Sequence, residues 1–415
     1  MGHIVVTFRV GYARECNSFV EGCERLQHVI DECDLAKLSD AKARSPRQTE
    51  LLSITDDQNS VDTISGNCTL RMPIDDSAGQ LGISYILANV LYVSAYSFVR
   101  HLEIVGLELA PSLSAKFPGP RFGPLAVHPE AHKRPLFGAI LKPRGAINPQ
   151  TALRFIAELA EGGIDFIVDD ELTVDPESWP FRARAQRIVE TIAKHSRAAT
   201  KPSYIANVTA DYESALTLAQ FAHESGVGGV MVNAITMGYD VIRTLSSRVT
   251  ADFKPFIMTN VIGRSMLTRP TDFRIADHVF GLLARLAGSE VVHVGAPAGT
   301  LESKHNRFIN MRRSLQDAVP GTTIHTSVAA MSGGLDFRNC FANYSVYGGP
   351  CILTMGGSLL RMVNSSYRPK LTGGDLVEVF RKLWELFERH PKDYEHEVMN
   401  SRDPRLQAAI RATRQ

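Results

Sequence analysis

The sequence predicts an α/β protein in which a C-terminal (β/α)8 barrel of the TIM type follows a smaller N-terminal α+β domain with a ferredoxin-like arrangement. From about residue 137 onwards, short apolar segments alternate with stretches of helical periodicity, which is typical of consecutive βα units and a parallel sheet. Eight such units over about 250 residues is the usual size of this barrel. An open doubly wound sheet is the alternative, but no GxGxxG motif follows the first strand of the series.

Strand-like and helix-like segments also follow each other in the first part of the chain. They are a strand at residues 4–9, a helix over 19–33, a polar, turn-rich stretch at 36–60 and a second strand region at 62–74. Residues 100–133 contain five prolines and are predicted to connect two halves. The chain is therefore divided into an N-terminal domain, residues 1–125, and a barrel domain with C-terminal helices, residues 126–415.

The segment at residues 81–99 carries no charged residue and is long enough to cross a bilayer. Asn89, three serines and three tyrosines interrupt it, and no basic flank marks an orientation. These polar residues favour a buried helix at a domain or subunit contact over a membrane span.

The predicted barrel strands are short apolar runs that end in polar residues. They lie at residues 137–142, 164–168, 203–208, 229–233, 255–260, 290–294, 322–328 and 350–354. After them, residues 374–389 have the periodicity of an amphipathic helix, and the charged tail beyond residue 400 is expected to be loosely held.

Composition and charge narrow the classes of function. The 415 residues are 44% hydrophobic and 21% charged, as in ordinary globular proteins, and a net charge of +1 argues against a general nucleic-acid binder. The six cysteines form no CxxC pair, so neither a zinc site nor a disulfide framework is indicated. A reducing, cytoplasmic location is expected, because the N-terminal apolar run is too short for a secretory signal.

Catalytic groups of such barrels lie at the carboxyl ends of the strands. The residues found there are Lys142, Asp170, Glu171, Asn207, Asn233, Asn260, Arg264, His293, Ser332, Gly333, Gly334, Gly356 and Gly357. The glycine pairs follow the seventh and eighth strands, where barrels commonly bind phosphate through backbone N–H groups. Arg264 and His293 would hold a second anionic group, although a histidine at a strand end is also common as a buried core residue.

The run at residues 162–171 ends in three adjacent carboxylates. Asp170 lies on the same side of the predicted strand as Val168, and Glu171 begins the loop, so these two acids could converge on one hard cation such as Mg²⁺. Acids at the start of a helix are the alternative, because the helix dipole favours negative charge there.

Four motifs, in this order and at these spacings, resemble the Rubisco large-subunit superfamily. They are AILKPR at residues 139–144, the run at 162–171, MSGG at 331–334 and MGG at 355–357. Residues 86–90, which contain Asn89, are similar to the segment with which that family contributes an asparagine across its dimer interface. The resemblance covers roughly residue 80 to the end. It implies a homodimer whose sites are built from two chains, with Glu32 or Asp34 in place of the family's N-terminal glutamate.

This sequence also departs from the family pattern. Rubisco carbamylates a lysine at the second strand end, where this chain has Val168, and two carboxylates in place of three anionic ligands weaken a Mg²⁺ site. The loop after the sixth strand carries a catalytic lysine in the carboxylases, and Thr300 stands there in this sequence. Gly263 replaces a family histidine. These departures predict that the protein does not fix CO₂.

The resemblance implies roles for the site positions of the family that this sequence retains. Lys142 matches a lysine that acts as an acid/base, and Arg144 stands where a second lysine is usual. Arg264 and His293 match ligands of one phosphate. The matches to hydroxyl and phosphate binders are Ser332, Gly333, Gly334, Gly356 and Gly357. This is the pattern of Rubisco-like proteins, which enolise, isomerise or cleave phosphorylated sugar derivatives, several of them in methionine salvage or acid-sugar breakdown.

Proton transfer next to a carbonyl requires a base, and desolvation can make a lysine a usable one. It also requires positive charge near the enolate, from a metal ion or from Lys and Arg side chains. Three functions stay open: an enolase- or isomerase-type enzyme on a phosphorylated ketose derivative, a decarboxylase or C–C hydrolase on a phosphorylated 3-oxo acid sugar, and a catalytically silent sugar-phosphate-binding protein.

Overall fold

The computed structural model describes residues 2–13, 15–32, 48–57, 64–75, 77–142, 148–196, 201–248, 255–299 and 305–413. Its N-terminal unit is a five-stranded sheet of β1 (Gly2–Tyr12), β2 (Glu50–Asp56), β3 (Ile64–Ile74), β4 (Val99–Leu109) and, from much later in the chain, β10 (Phe273–Ile275). The strands lie in the order β10-β4-β1-β3-β2, and β1 is antiparallel to both β3 and β4. Alternate residues of β1 are buried, which makes this sheet one wall of the core.

Helices complete the N-terminal unit. Helix α1 (Phe19–Glu32) follows β1, and α2 (Ala78–Leu81) and α3 (Ile83–Leu91) precede β4. The resulting βαββαβ order, with β4 beside β1, is the ferredoxin-like arrangement that the sequence predicts.

Eight parallel strands close into a barrel in the order β11-β12-β13-β5-β6-β7-β8-β9, which confirms the predicted fold class. They are β5 (Leu136–Ile140), β6 (Phe166–Val168), β7 (Ser203–Asn207), β8 (Gly229–Asn233), β9 (Phe256–Asn260), β11 (Val291–His293), β12 (Val328–Met331) and β13 (Cys351–Met355). Apolar side chains from all eight strands, Val168 among them, form one buried cluster, as expected for a packed barrel interior.

The remaining helices surround the barrel or follow it. They are α4 (Pro111–Ser114), α5 (Pro124–Val127), α6 (Pro149–Gly162), α7 (Phe181–His195), α8 (Tyr212–Glu224), α9 (Ala234–Met237), α10 (Tyr239–Arg248), α11 (Ser265–Thr268), α12 (Asp277–Ala287), α13 (His305–Gln316), α14 (Cys340–Tyr347), α15 (Gly357–Asn364), α16 (Gly373–Arg389), α17 (Tyr394–Asn400) and α18 (Pro404–Ala412). None of the helices in the described ranges is long and apolar enough to cross a membrane.

Several predicted elements are wrong. The seventh barrel strand is Val328–Met331 and not 322–328, because carbonyls at residues 324 and 325 accept hydrogen bonds from the buried Arg285. Residues 81–99 are not one helix: α3 ends at Leu91, a 3-10 turn follows at Tyr92–Ala95, and β4 begins at Val99. Strands β2 and β4 lie in stretches interpreted as turn-rich or connecting. The tail beyond residue 400 is not loosely held, because α18 buries Leu406 and Ile410.

Helix α3 is attached to the barrel by Asp240 at the start of α10. Oδ1 of Asp240 accepts the N–H of Ile83 at 3.0 Å, and Oδ2 accepts the N–H and the hydroxyl of Ser84 at 2.9 and 2.6 Å. Gly82 has a φ of +90°, and a Cβ there would lie 2.0 Å from Asp240 Oδ1. A barrel carboxylate therefore caps the N-terminus of a helix in the other unit.

Candidate active site

Lys142 reaches across the mouth of the barrel to a neighbouring strand end. It follows β5, and its Nζ donates a hydrogen bond to Oδ2 of Asp170, which follows β6. The Asp170 side chain is fully buried, and its Oδ1 accepts the N–H of Leu172 at 2.9 Å. A Cβ at Gly356, after β13, would lie 3.2 Å from Lys142 Cγ and 3.3 Å from Lys142 Cε. Glycine at this position therefore leaves room for the lysine.

The predicted metal ligands are arranged differently from a Mg²⁺ site. Both oxygens of Asp170 already accept protein donors, and Val168 points into the apolar barrel interior. The side-chain amide of Asn207 donates to the backbone oxygen of Glu171 at 2.9 Å. In the described part of the chain no three His, Cys, Asp or Glu side chains are grouped for metal binding. This donor set does not fit Mg²⁺, which prefers near-octahedral oxygen ligands, and the ammonium of Lys142 occupies the position of a cation on Asp170.

Asp169, the first of the three adjacent acids, is part of the structure's core. Its oxygens contact Arg184 Nη2 at 3.1 Å, the hydroxyl of Tyr204 at 2.9 Å and the N–H of Asn207 at 3.0 Å. Burial raises the pKa of Asp169, and the Arg184 guanidinium opposes this effect. Arg184 also donates to the backbone oxygen of Trp179 at 2.9 Å, so this network holds the loop after β6 in place.

The three asparagines at strand ends shape turns. Asn207, Asn233 and Asn260 are buried, and the side-chain oxygen of each accepts the N–H of the residue two positions further on, at 2.8–3.0 Å. Such turns satisfy backbone groups where a strand ends. These residues therefore fix the turns that follow β7, β8 and β9.

A second group of side chains lies at the ends of β9 and β11. Arg264 Nε forms an ion pair with Oδ1 of Asp277 at 3.0 Å, and Arg307 Nη1 donates to Oδ2 of Asp277 at 3.3 Å. Arg264 Nη2 donates to the backbone oxygen of Val294 at 3.3 Å. These residues line a cavity of about 200 Å³. Its lining comprises Val261, Ile262, Gly263, Arg264, Ser265, Thr268, Arg269, Asp277, His293, Gly295 and Arg307.

His293 connects this cavity to the next strand end. Its Nε2 forms a hydrogen bond with the hydroxyl of Ser332, which follows β12. Burial, reinforced by the nearby charge of Arg264, lowers the pKa of His293 to about 4. The imidazole is therefore neutral at neutral pH, and it acts here as a hydrogen-bonding group without charge.

Glycine-rich turns follow β12 and β13, as the sequence predicts. Gly333 and Gly334 have φ angles of +98° and +87°, which side chains rarely adopt. Asn339 Nδ2 donates to the backbone oxygen of Gly334 at 2.9 Å and fixes the first turn. Gly357 opens helix α15, whose first N–H groups have no partner within the helix. The second turn therefore presents an N-terminal helix end to the barrel mouth.

Not every predicted site residue can be placed beside Lys142 or in the cavity at Arg264. Asn89 lies on α3, where its side chain donates to the backbone oxygen of Tyr85 at 2.8 Å, and α3 does not line the cavity at Arg264. Arg144, Asp34 and Thr300 lie outside the described residues. Gly263 does line the cavity, with a φ of +90°.

Asp277 and Arg307 were not singled out as site residues from the sequence. An acid at the start of α12 and a basic residue in α13 are ordinary features of helices, and neither residue directly follows a strand of the barrel. Only closure of the barrel brings both side chains to Arg264.

Comparison with known proteins identifies similar chains. The profile of the ribulose bisphosphate carboxylase large chain, catalytic domain, matches residues 128–363. A ribulose bisphosphate carboxylase-like protein of Archaeoglobus fulgidus is 28% identical over 246 residues, which are 59% of this chain and 56% of that protein. The chain thus matches little more than half the length of that relative.

Two solved structures have the same fold along nearly the whole chain. A rubisco-like protein (MtnW) from Alicyclobacillus acidocaldarius superposes with a TM-score of 0.81 at 20% identity, over 99% of this chain and 100% of that one. The octameric ribulose-1,5-bisphosphate carboxylase/oxygenase of Pyrococcus horikoshii superposes with a TM-score of 0.82 at 16% identity, over 99% and 94%. At these identities the similarity establishes the fold.

Proposed function

Because the chain belongs to the ribulose bisphosphate carboxylase large-chain family, we propose that it is an enzyme of that family with a changed reaction. The reaction is proton transfer at the carbon next to the carbonyl of a phosphorylated ketose or a related sugar derivative. The protein does not fix CO₂. Val168, buried in the barrel interior, has no amine to carbamylate, which supports the second part of the proposal.

The contact between Lys142 and Asp170 is the observation that carries the proposal. The hydrogen bond to Asp170 fixes the Lys142 nitrogen at the barrel mouth, where the amine that remains after a proton has left to solvent can act as a base. The amine takes the proton from the substrate carbon. The ammonium that forms then lies beside the developing enolate and stabilises its charge. Lys142 thus supplies both the base and the positive charge, and no metal ion enters the step.

The ends of the substrate are held by the two sides of the barrel mouth. The glycine turns after β12 and β13 and the first N–H groups of α15 bind the phosphate, because backbone donors at a helix N-terminus favour anions. Arg264 and the cavity around it receive the other end of the molecule. In this proposal the substrate carbonyl lies between these two sites, beside Lys142.

Exchange of substrate protons with solvent tests the proposal. Purified protein in D₂O is incubated with a panel of ketose phosphates, and deuterium next to the carbonyl is followed by NMR. We expect exchange with the wild type and at least a hundredfold slower exchange with Lys142→Met, since general acid–base groups contribute about 10²- to 10⁴-fold. Lys133→Met is the matched control, because this exposed lysine pairs with Glu130 outside the site.

Three outcomes would contradict the proposal. Full exchange in Lys142→Met would remove the lysine from the mechanism. Binding of a sugar phosphate without exchange in the wild type would mean that the protein is a catalytically silent binder. Formation of labelled acid from ¹⁴CO₂ and ribulose 1,5-bisphosphate would contradict the statement on CO₂ fixation.

We further propose that the protein works as a homodimer. Leu91, Leu267 and Phe273 are exposed apolar residues that line a groove of about 360 Å³ between α3, α11 and β10, and the exposed Met266 precedes Leu267 in the chain. An exposed patch of this kind is typical of an interface. Asn89 lies on the same helix as Leu91, so a partner seated on the patch would receive Asn89 at its own site, as the family resemblance implies.

A further inference from the structure

A network of uncharged hydrogen-bonding groups runs along the barrel mouth from the end of β6 to the end of β9. At one end of it, the side-chain amide of Asn207 donates to the backbone oxygens of Asp170 and Glu171, at 3.2 and 2.9 Å. The backbone N–H of Asn207 donates to Oδ2 of Asp169 at 3.0 Å. Asn207 therefore contacts all three adjacent acids, including the one that binds Lys142.

Thr209 connects the end of β7 to the end of β8. Its N–H donates to Oδ1 of Asn207 at 3.0 Å, and its hydroxyl oxygen accepts the N–H of Asn233 at 3.0 Å. The backbone hydrogen bonds between the two strands include one from Val208 to Met231 at 3.0 Å, and the threonine hydroxyl adds a further hydrogen bond beyond it. The backbone N–H of Asn233 thus has a side chain as its partner.

Asn233 connects this network to the cavity at Arg264. Its Nδ2 donates to the backbone oxygen of Ile262 at 3.3 Å, and the N–H of Ile262 donates to Oδ1 of Asn260 at 2.8 Å. Ile262 and Arg264 line the same cavity. The network therefore joins the loop that carries Asp170 to the loop that forms one wall of this cavity.

The side chains of the network suit such a connection because they are uncharged. An asparagine side chain both accepts and donates, so Asn207 and Asn233 each accept an N–H of their own turn and also donate to a neighbouring loop. Both are buried, which strengthens these hydrogen bonds. The network holds the loops in place and adds no charge beside Lys142 or Arg264.

We propose that Thr209 is a positioning residue that fixes the distance between Lys142 and the cavity at Arg264. It acts through Asn207 and Asn233. The proposed reaction needs the base at the reacting carbon while the far end of the substrate lies in the cavity, and a misplacement of about 1 Å can cost on the order of a hundredfold in rate. This inference rests on the proposed function, because it concerns the same site.

Two substitutions separate the hydroxyl of Thr209 from the rest of its side chain. Thr209→Val keeps the shape and removes the acceptor of the Asn233 N–H, whereas Thr209→Ser keeps this acceptor. We expect the exchange of substrate protons to slow about tenfold in Thr209→Val, with the dissociation constant of the ketose phosphate changed by less than about threefold. Binding is largely kept because the glycine turns that hold the phosphate lie outside the network.

Thr209→Ser should exchange substrate protons at close to the wild-type rate. Thr217→Val is the control, because it removes a hydroxyl that donates to the backbone oxygen of Glu213 on the exposed side of α8. A wild-type rate in Thr209→Val, or an equal loss in the valine and serine variants, would overturn the role of the hydroxyl.

Amide hydrogen exchange tests the same inference without a substrate. The N–H of Leu172 donates to Oδ1 of Asp170, and the N–H of Ile262 donates to Asn260, so these two amides report on the two ends of the network. Thr209→Val should speed hydrogen exchange at both amides by at least about threefold, and Thr209→Ser at neither. Faster exchange at Asn233 alone would mean that Thr209 fixes only its own hydrogen bond, which would overturn the inference.

Failure of this inference is distinct from failure of the proposed function. If the wild type binds ketose phosphates and exchanges none of their protons, the proposed function is wrong, and the amide measurement still decides the role of Thr209. If the wild type exchanges substrate protons and Thr209→Val matches it in both measurements, only the positioning role is wrong.

Discussion

Gly356 and Lys142 share a space that a single methyl group would fill. A Cβ at position 356 would lie 3.2–3.3 Å from Lys142 Cγ and Cε and from Ile140 Cβ, closer than most such contacts. We expect Gly356→Ala to displace Lys142 from Asp170 and to slow proton exchange roughly tenfold, the loss typical of a misplaced catalytic group. Gly123→Ala is the control, because its nearest neighbour would be 3.6 Å away and outside the site. Equal exchange rates in both variants would mean that Lys142 has room to avoid the methyl group.

His293 should make the protein less stable in acid. The pKa of His293 is lowered to about 4, mainly by burial, while a histidine in the unfolded chain titrates near 6.5. Between these values the unfolded state binds the extra proton, so the free energy of unfolding falls as the pH drops from about 7 to 4, by up to about 3 kcal/mol. Urea unfolding at pH 4.5, 5.5 and 7 should show a smaller pH dependence for His293→Gln than for the wild type. His132→Gln, at an exposed position, should keep the wild-type slope.

Single residues at strand ends could be predicted from the sequence, and their partners could not. Lys142, Asp170 and the glycine turns follow apolar strands directly, and in a parallel barrel such positions all face one opening. The contact of Asp277 with Arg264 depends on a helix that begins 13 positions later in the printed sequence, and no local pattern encodes it. The sequence does not predict the hydrogen bond between Lys142 and Asp170 either, because periodicity gives the side of a strand but not the rotamer of a lysine.

At the scale of elements, the cap on α3 joins the two units of the chain. Burial pushes the pKa of Asp240 up, but the hydrogen bonds from Ser84 and Ile83 outweigh it and leave the pKa below its usual value. Its contribution is therefore fully present above about pH 4 and is lost as the pH falls below that range.

Removal of this carboxylate should loosen α3. Asp240→Ala leaves the N–H groups of Ile83 and Ser84 without their partner, and we expect a loss of about 1–2 kcal/mol in unfolding free energy at pH 7, with faster hydrogen exchange of the α3 amides. Asp211→Ala removes the cap of α8 instead and should affect only the exchange of that helix. Unchanged exchange of α3 in Asp240→Ala would mean that packing alone holds it. The cost of Asp240→Ala should decrease as the pH falls below about 4, because the carboxylate is then progressively protonated.

Elements with local periodicity were predicted well, and those that depend on distant partners were not. Helix α16, which its amphipathic periodicity predicts, begins one residue before its predicted start, and in the structure Thr372 and Asp375 form a capping box at its N-terminus. The sequence predicts a loosely held tail where α18 lies, yet Arg405 forms ion pairs with Asp375 and Glu378, at 3.1 and 2.6 Å. From the sequence alone, a charged residue such as Arg405 is expected to be exposed to solvent. Only the position of α16 beside α18 shows that this residue holds the two helices together.

At the scale of the whole molecule, the exposed apolar patch predicts self-association. Met266 is 76% exposed and Leu267 is 41% exposed, and a charge at either would be buried in a dimer interface. We expect Met266→Glu to shift the protein from dimer to monomer in sedimentation velocity and to abolish exchange activity if Asn89 acts across the interface. Leu125→Glu, at a residue that is 60% exposed elsewhere on the surface, should leave the dimer intact. A monomeric wild type with full activity would contradict the dimeric site.

The N-terminal sheet is complete only after β10, a segment from much later in the chain, has been synthesised. Strand β10 pairs in parallel with β4 through Phe273 and Leu102, so the edge of the N-terminal sheet is completed by a segment that leaves the ribosome long after β4 itself. At translation rates of roughly 5–20 residues per second, that delay lasts on the order of ten to thirty seconds. During it the nascent chain exposes the free edge of β4, which is the kind of surface that recruits chaperones or neighbouring chains. Fragments cut between the two units would each carry half of this pairing, and we expect them to be recovered in folded form only when they are co-expressed.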